Sequence, residues 1–314
     1  MNTLIAFGPV PSRRLGRSLG INNIPPKVCS YACTYCQLGR TTRMSTERQA
    51  FYEPEAIAQD VRRQVERARN AGEAIDYLSF VPDGEPTLDR QLGRTIGLLR
   101  PLGIPIAVIS NASLIDREDV QADLSQADWV SLKVDAVWKN VWTRVNRPRR
   151  DLNLDLILQG IRDFARGYQG ELVTETMLVQ DVNDGREHIA ALAEYLGGLR
   201  MAMAYLSIPI RPPAEAHVQV PGREAIERAV DILAARVGRV ECLFDYEGNA
   251  FATQGEVEQG LLRIMAVHPM RQDAVAIYLA EKGADWSVVE RMLDRGQLVE
   301  TMYQGSRFYR RNLR

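Results

Sequence analysis

Cys29, Cys33 and Cys36 stand in a Cys-x3-Cys-x2-Cys spacing, with Tyr35 immediately before the last thiol. Three closely spaced thiolates suit an iron-sulfur cluster that is one ligand short, because a [4Fe-4S] cube normally takes four. The fourth iron is then open to a substrate or cofactor. The remaining cysteine, Cys242, lies more than 200 residues downstream in the apolar run Val240 to Phe244. It reads as a buried apolar cysteine; the alternative is a distant fourth ligand that closes the cluster. A tetrahedral zinc site would need another Cys or His nearby, and His188, His217 and His268 are all far along the chain. A disulfide framework fits less well, since three of the four cysteines share one loop.

Three further segments carry chemistry-bearing residues. Phe80 to Thr87 contains Asp83, Gly84 and Glu85. Glycine there lets backbone approach a ligand closely, and a carboxylate or carbonyl can accept the bonds of an ammonium; standing alone, Gly-Glu-Pro-Thr is a turn and helix start. Ser131, Lys133 and Asp135 alternate along a strand and share one face. A lysine buried there needs an anion, either a ligand carboxylate or a neighbour such as Asp135 or Glu175. Trp138 and Trp142, one helical turn apart, lead into the basic run Arg144 to Arg150. They read either as core or as a platform for bases beside phosphate-binding arginines.

The Cys-x3-Cys-x-aromatic-Cys motif resembles the cluster motif of the radical S-adenosylmethionine (SAM) superfamily, whose open iron chelates SAM. Asp83-Gly84-Glu85-Pro86 is similar to its Gly-Gly-Glu element, which meets the SAM amino group. Ser131-Leu132-Lys133 resembles the Asp-Leu-Lys strand of glycyl-radical activating enzymes, with Ser131 in place of the aspartate that contacts ribose; Lys133 then faces the SAM carboxylate. Ser110-Asn111-Ala112 stands where that family has Thr-Asn-Gly, which makes Asn111 a polar contact. Tyr35 would stack on adenine. Phe7 to Gly16 and Cys36 to Arg40 look like the iron-sulfur oxidoreductase branch related to the tRNA wyosine synthases, a likeness that covers residues 5 to about 250. The resemblance implies a [4Fe-4S] cluster, SAM, an electron donor such as flavodoxin or ferredoxin, and reductive cleavage of SAM to methionine and a 5′-deoxyadenosyl radical that abstracts hydrogen. Wyosine synthases carry a second cluster on earlier cysteines. No cysteine precedes Cys29, so their pyruvate-dependent reaction is not expected.

These residues need a scaffold. Apolar strands near 18–23, 76–81, 105–110, 129–134, 172–179 and 203–209 alternate with helical segments, the pattern of β-α units around a parallel sheet. The clearest helix is Pro54 to Ala71, where Ile57, Val61, Val65 and Ala68 recur at helical spacing. Six units with the cluster loop after the first strand predict an α/β fold, a partial (β/α)6 radical SAM barrel over residues 1–250, with a seventh strand near 239–244. Site residues then belong at the C-terminal strand ends, with Glu175, Gln180 and Arg211 on the substrate side. After Tyr246 the chain changes character. Helices over 256–266, 270–282 and 286–295, followed by a hairpin about Gln304-Gly305-Ser306, give a winged-helix-like domain at 255–314. Such domains dock nucleic acid or polypeptide.

The chain of 314 residues is 46% hydrophobic and 25% charged, which excludes disordered and fibrous classes. No stretch approaches a membrane span, and free thiolates point to the reducing cytoplasm. Net charge is −1, yet residues 1–50 hold seven basic residues against Glu47 alone, or +6. Further arginines cluster at 144–150 and in the tail. They predict an anionic partner, or pair with acids within the fold. Three hypotheses follow: a radical SAM enzyme acting on a macromolecule, RNA first; a peptide-modifying or glycyl-radical activating enzyme; and an iron-sulfur redox-sensing regulator.

Overall fold

The computed structural model describes residues 5–244, 257–265 and 268–312. Its first elements are a hairpin of β1 (Ala6–Ser12) and β2 (Gly16–Ile21), paired antiparallel with a register slip between Phe7 and Val10. Two short strands follow in the cluster loop, β3 (Val28–Cys29) and β4 (Arg43–Met44). Then come α1 (Pro54–Asn70), β5 (Tyr77–Phe80), α2 (Leu92–Leu99), β6 (Ile106–Ser110), α3 (Glu118–Leu124) and β7 (Trp129–Lys133). The remaining units are α4 (Lys139–Val145), α5 (Leu154–Gly167), β8 (Glu171–Met177), α6 (Arg186–Gly197), β9 (Met203–Ser207), α7 (Arg223–Ala234) and β10 (Val240–Leu243). Eight strands form one sheet in the order β1-β2-β5-β6-β7-β8-β9-β10, parallel from β2 onward. It is a mixed α/β fold with the sequential strand order expected.

Period-two alternation sorts the strand residues onto two faces. Leu19, Leu78, Phe80, Val108, Val130, Leu132 and Leu206 face the helices and join the main core with Ile57, Val61 and Val65 of α1. The other face lines the barrel interior in two layers. Leu15, Ala107, Trp129, Val173, Tyr205 and Leu243 fill the lower one. Above it Ser131, Lys133, Glu175 and Ser207 form a polar layer toward the C-terminal strand ends.

The first strand was not foreseen. Its prolines argue against a central strand, but β1 is an edge strand with an irregular register, where proline is tolerated. Phe7 pairs with Gly20 across the hairpin, and a Cβ on Gly20 would lie 2.0 Å from the Phe7 ring, so the glycine makes room for the aromatic. Cys242 corrects a second expectation: it is exposed, not buried. It lies on β10, an edge of the sheet, and pairs with Leu206, which places it on the helix-facing side, away from the lumen.

The C-terminal segment comprises α8 (Val257–Met265), β11 (Met270–Arg271), α9 (Gln272–Glu281), α10 (Ser287–Asp294) and the hairpin β12 (Leu298–Tyr303) and β13 (Ser306–Arg311). Its core includes Leu261, Ile264, Tyr278, Met292 and Tyr309, and extends to Phe7 and Val10 of β1. At its other side the Tyr303 hydroxyl donates to Pro209 O, just beyond β9. The segment therefore touches both the β1 side and the β9 loop. The expected change of character at Tyr246, and the start of the first C-terminal helix, lie outside the described residues. Among the described residues no helix is long and apolar enough to cross a membrane.

Candidate active site

The loop between β2 and α1 carries Cys29, Cys33 and Cys36 at the C-terminal end of the sheet. Cys36 N–H bonds Cys33 O at 3.2 Å and Gly39 N–H bonds Cys36 O at 3.1 Å, so local turns space the last two thiols. Asn111, after β6, sends its Nδ2 to Ser30 Oγ at 2.9 Å and to Cys29 Sγ at 3.5 Å. Asn146, after α4, sends its Nδ2 to Asp135 Oδ2 at 2.7 Å and to Cys33 Sγ at 3.5 Å. Two amide donors thus address two sulfurs, a means of tuning a cluster.

Burial, followed by repulsion from Asp135, pushes the Cys33 thiol up to about 12; burial likewise raises Cys29 and Cys36. Among the described residues no three Cys, His, Asp or Glu side chains converge on one ion position.

The Asp83-Gly84-Glu85 turn abuts the first strand of the cluster loop. Glu85 N–H bonds Val28 O at 3.1 Å, and a Cβ on Gly84 would meet Val28 O at 2.1 Å, so only glycine fits. The two carboxylates differ in role. Glu85 Oε1 accepts from Thr87 N (3.0 Å), Thr87 Oγ1 (2.6 Å) and Ser110 Oγ (2.7 Å), and Oε2 from Asn111 N (2.7 Å). Its charge staples the β5 and β6 loops and orients Asn111. Asp83 is also buried; Oδ1 pairs with Lys27 Nζ at 2.9 Å, while Oδ2 has no hydrogen-bond partner among the described residues. Burial raises the Asp83 carboxyl, opposed by Lys27. Lys27 also donates to Leu38 O and so ties the end of the cluster loop to this turn.

Across the lumen, Lys133 meets Glu175 Oε1 at 3.1 Å and Asp135 Oδ1 at 4.0 Å. The internal carboxylates supply the lysine with its anion, as the structural alternative foresaw. Burial works against the Lys133 ammonium, but Glu175 and Asp135 outweigh it and raise its affinity for the proton. Burial opposes the Glu175 carboxylate, yet Arg14 and Lys133 hold it well below the usual carboxylate range. Arg14 arrives from the β1-β2 turn. Ser131, 0% exposed beside this network, has no hydrogen-bond partner for its hydroxyl among the described residues.

Tyr35 is buried, its hydroxyl donating to Asp135 and its ring 4.8 Å from Lys133 Nζ. The Asp135 carboxylate that holds this hydroxyl also accepts from Met177 N at 2.8 Å. Of the substrate-side candidates, Glu175 lies in the lumen and Gln180 is exposed. Arg211 is buried against Gln37 (2.9 Å) and His268 (2.9 Å). Asn146 and Arg14 were missed. Neither was singled out within its segment, and the contacts that give them a role, Arg14 with Glu175 and Asn146 with Cys33, are more than 100 residues apart in sequence.

The family model described as Radical SAM superfamily matches residues 23–195, more than half of the chain, from the cluster loop into α6. The chain belongs to the radical SAM superfamily. It is therefore an enzyme of that chemistry, with a [4Fe-4S] cluster and SAM as cofactors, and the cysteine motif fits that assignment. A protein of Methanocaldococcus jannaschii, UPF0026 protein MJ1312, is 45% identical over 99% of this chain and 97% of its own length. Among solved structures, a radical SAM methyltransferase from Sphaerobacter thermophilus aligns with TM-score 0.54 at 19% identity, covering 72% of this chain and 66% of that one. TYW1 with a lysine-pyruvate adduct bound aligns with TM-score 0.53 at 16% identity, covering 70% and 74%. These two alignments establish the shared fold.

The donor set fits the cofactors. Cys29, Cys33 and Cys36 would hold the cluster, leaving one iron for SAM. Asp83 Oδ2 suits an ammonium and Ser131 Oγ a ligand hydroxyl or carboxylate, since both are buried polar atoms without protein partners. The cluster supplies the electron for cleaving the SAM carbon-sulfur bond. The protein shields the thiols, aims Asn111 and Asn146 at two of them, and lines the lumen with a charge-balanced polar layer.

Proposed function

We propose that this enzyme abstracts hydrogen from an anionic macromolecule, RNA foremost, presented at the C-terminal mouth of the barrel. The observation that carries the reading is Trp138. It follows β7 at the mouth and is 39% exposed, whereas Trp142 one turn later is buried edge-on against Tyr31. An exposed tryptophan leading into Lys139, Arg144, Arg149 and Arg150 supplies a stacking face and phosphate-binding charge in one segment.

The helix-strand-helix-helix-hairpin order of the C-terminal segment supports a winged-helix docking module at 255–314, beside a barrel at 1–250. One observation favours a peptide for that module. Arg291 of α10 and Arg295 just after it lie 3.8 and 3.2 Å from Glu258 of α8, so these two basic groups are already engaged. A reducing cytoplasmic setting accords with three free thiols.

The test is anaerobic tRNA binding over a salt series, with Trp138→Ala alongside. Removal of the C-terminal segment would uncover Phe7 and Val10, so a substitution is the cleaner probe. Phosphate contacts give a steep negative slope of log affinity against log salt. Loss of one stacking face costs about 1–3 kcal/mol. Absence of binding at physiological salt would remove RNA and leave polypeptides as the substrate class.

A further inference from the structure

An open cleft of about 310 Å³ is walled by residues of three loops, among them Cys33, Arg40, Arg147 and Glu215. Each loop supplies one charge: Arg40 comes from the cluster loop, Arg147 from the turn between α4 and α5, and Glu215 from the long connection between β9 and α7. Arg147 reaches one oxygen of the Glu215 carboxylate at 2.7 Å and Arg40 reaches the other at 3.1 Å, so two cations share one anion. The arginine side chains are 43% and 76% exposed, that of Glu215 only 14%. The backbone sets both sides of this contact. Arg147 has φ +46°, in the left-handed region, and directly precedes Pro148, which favours an extended residue before it. Such strain persists only where the surroundings impose it. Here Ala32 N–H bonds Asn146 O at 3.1 Å and Arg147 O at 3.2 Å, and Arg149 N–H bonds Ser30 O at 3.0 Å. Glu215 is held as firmly: its N–H bonds Thr34 O at 3.0 Å, and its O accepts from the N–H of buried Val218 at 3.1 Å.

We infer that Arg40 and Arg147 form a seat for a phosphate group of the substrate, which the Glu215 carboxylate fills until the substrate displaces it. The seat presupposes the anionic substrate proposed for this enzyme and names the group that is recognised. Exposed ion pairs contribute little stability, and backbone bonds together with Val218 already fix the β9–α7 connection. A clasp role therefore leaves the second arginine and the strained backbone of Arg147 unexplained. A phosphate offers more acceptor oxygens to two guanidinium forks than the carboxylate, which gives one oxygen to each. Only the Glu215 side chain has to turn away, since its backbone bonds do not involve the carboxylate. Cys33, one of the three motif thiols, lines the same cleft, so a phosphate held there brings the nucleotide that carries it to the cluster loop. Arg147 also follows Trp138 and α4, which puts a stacking face and the seat on one segment.

Displacement has a signature that a clasp lacks: removing the Glu215 charge should tighten binding, a gain that misfolding cannot imitate. Anaerobic tRNA binding to the cluster-loaded enzyme at low salt should tighten about fivefold in Glu215→Gln, the order of one exposed ion pair. In the Arg40→Gln, Arg147→Gln pair it should weaken about tenfold, with a log–log salt slope shallower by about 1. Combining the three substitutions should abolish the gain, because the groups act as one unit. Asp163→Asn removes another exposed acid, paired with Arg166 at 2.8 Å, and should leave affinity unchanged, which excludes a general charge effect. Inorganic phosphate, followed by phosphorus NMR line broadening with the same proteins, tests the seat without RNA. Glu215→Gln should broaden the line more than wild type, and the arginine pair less. If tRNA fails to bind while phosphate keeps this order, the RNA reading falls and the seat stands. If Trp138→Ala weakens tRNA binding while Glu215→Gln leaves the affinity for tRNA and phosphate unchanged or lower, the RNA reading stands and the seat is overturned, with Glu215 a clasp alone.

Discussion

Glu85 is the residue on which the site's geometry makes its sharpest prediction. The family-like motif marks it as a SAM contact, yet its carboxylate already accepts four hydrogen bonds, all between 2.6 and 3.0 Å. Burial raises the Glu85 carboxyl, and those bonds from Thr87, Asn111 and Ser110 offset only part of the penalty. In Glu85→Gln, three donors on the Oε1 side keep an oxygen, while the new amide faces the Asn111 N–H. One charge-assisted bond is lost, worth about 1.5–3 kcal/mol, and that N–H is left unpaired. Relief of the buried charge returns part of this, so the net loss should be about 2 kcal/mol. Anaerobic denaturant unfolding would measure it. SAM affinity of the folded, cluster-loaded fraction, measured by equilibrium dialysis, should stay within about threefold, since the lost bond lies in the protein. Asp83→Asn should behave in the opposite sense, with SAM affinity at least tenfold weaker, a loss of about 1.4 kcal/mol in binding. It also costs stability, because Lys27 loses an ionised partner. Glu85→Gln with full stability and a large loss of SAM affinity would refute the staple and restore Glu85 as the ligand.

Other outcomes follow from residues outside the lumen. Arg48 bonds Thr87 O at 2.9 Å, Asp89 O at 2.8 Å and the carboxylates of Asp119 and Asp123. Lysine cannot reproduce that fork, so Arg48→Lys should lose about 3 kcal/mol on denaturation while leaving the salt slope of RNA binding unchanged. Burial pushes the Asp89 carboxyl up from 3.8 to about 6, against opposing bonds from Gln91 and Asn23. A raised acid contributes stability that is present below the unfolded value and lost as pH rises to the folded one. Wild-type stability should therefore fall by up to about 3 kcal/mol from this group between pH 4 and 6. Asp89→Asn should flatten that slope; an unchanged pH profile would show that Asp89 ionises freely in the fold.

The sequence made some of this legible and hid the rest for physical reasons. Six parallel strands and the long first helix were visible because their apolar periods match burial on one face, as in Ile57, Val61 and Val65. The cysteine spacing carried the cluster site, since covalent proximity needs no tertiary information. The alternation of Ser131, Lys133 and Asp135 placed them toward the lumen correctly. Partner choice was not legible. Whether Lys133 serves a ligand or Glu175 depends on register across strands 40 residues apart, and Arg14 enters through a hairpin whose prolines concealed its first strand. The same holds for charge: Arg14, Lys27 and Arg48, read as part of a basic face, are committed to Glu175, Asp83 and the Asp119–Asp123 pair. Arg40, Arg43, Arg147 and Arg149, by contrast, stay exposed.

The central claim is that three cysteines hold a cluster with one iron open to SAM, and Cys242 takes no part. Electron paramagnetic resonance of the reduced, reconstituted protein with and without SAM tests it most directly. The account predicts a reduced [4Fe-4S] signal that changes on addition of SAM, is unaltered in Cys242→Ala, and is lost when Cys33 is replaced. A signal indifferent to SAM, or one that Cys242→Ala abolishes, would mean that the fourth iron is closed by the protein and would contradict the account.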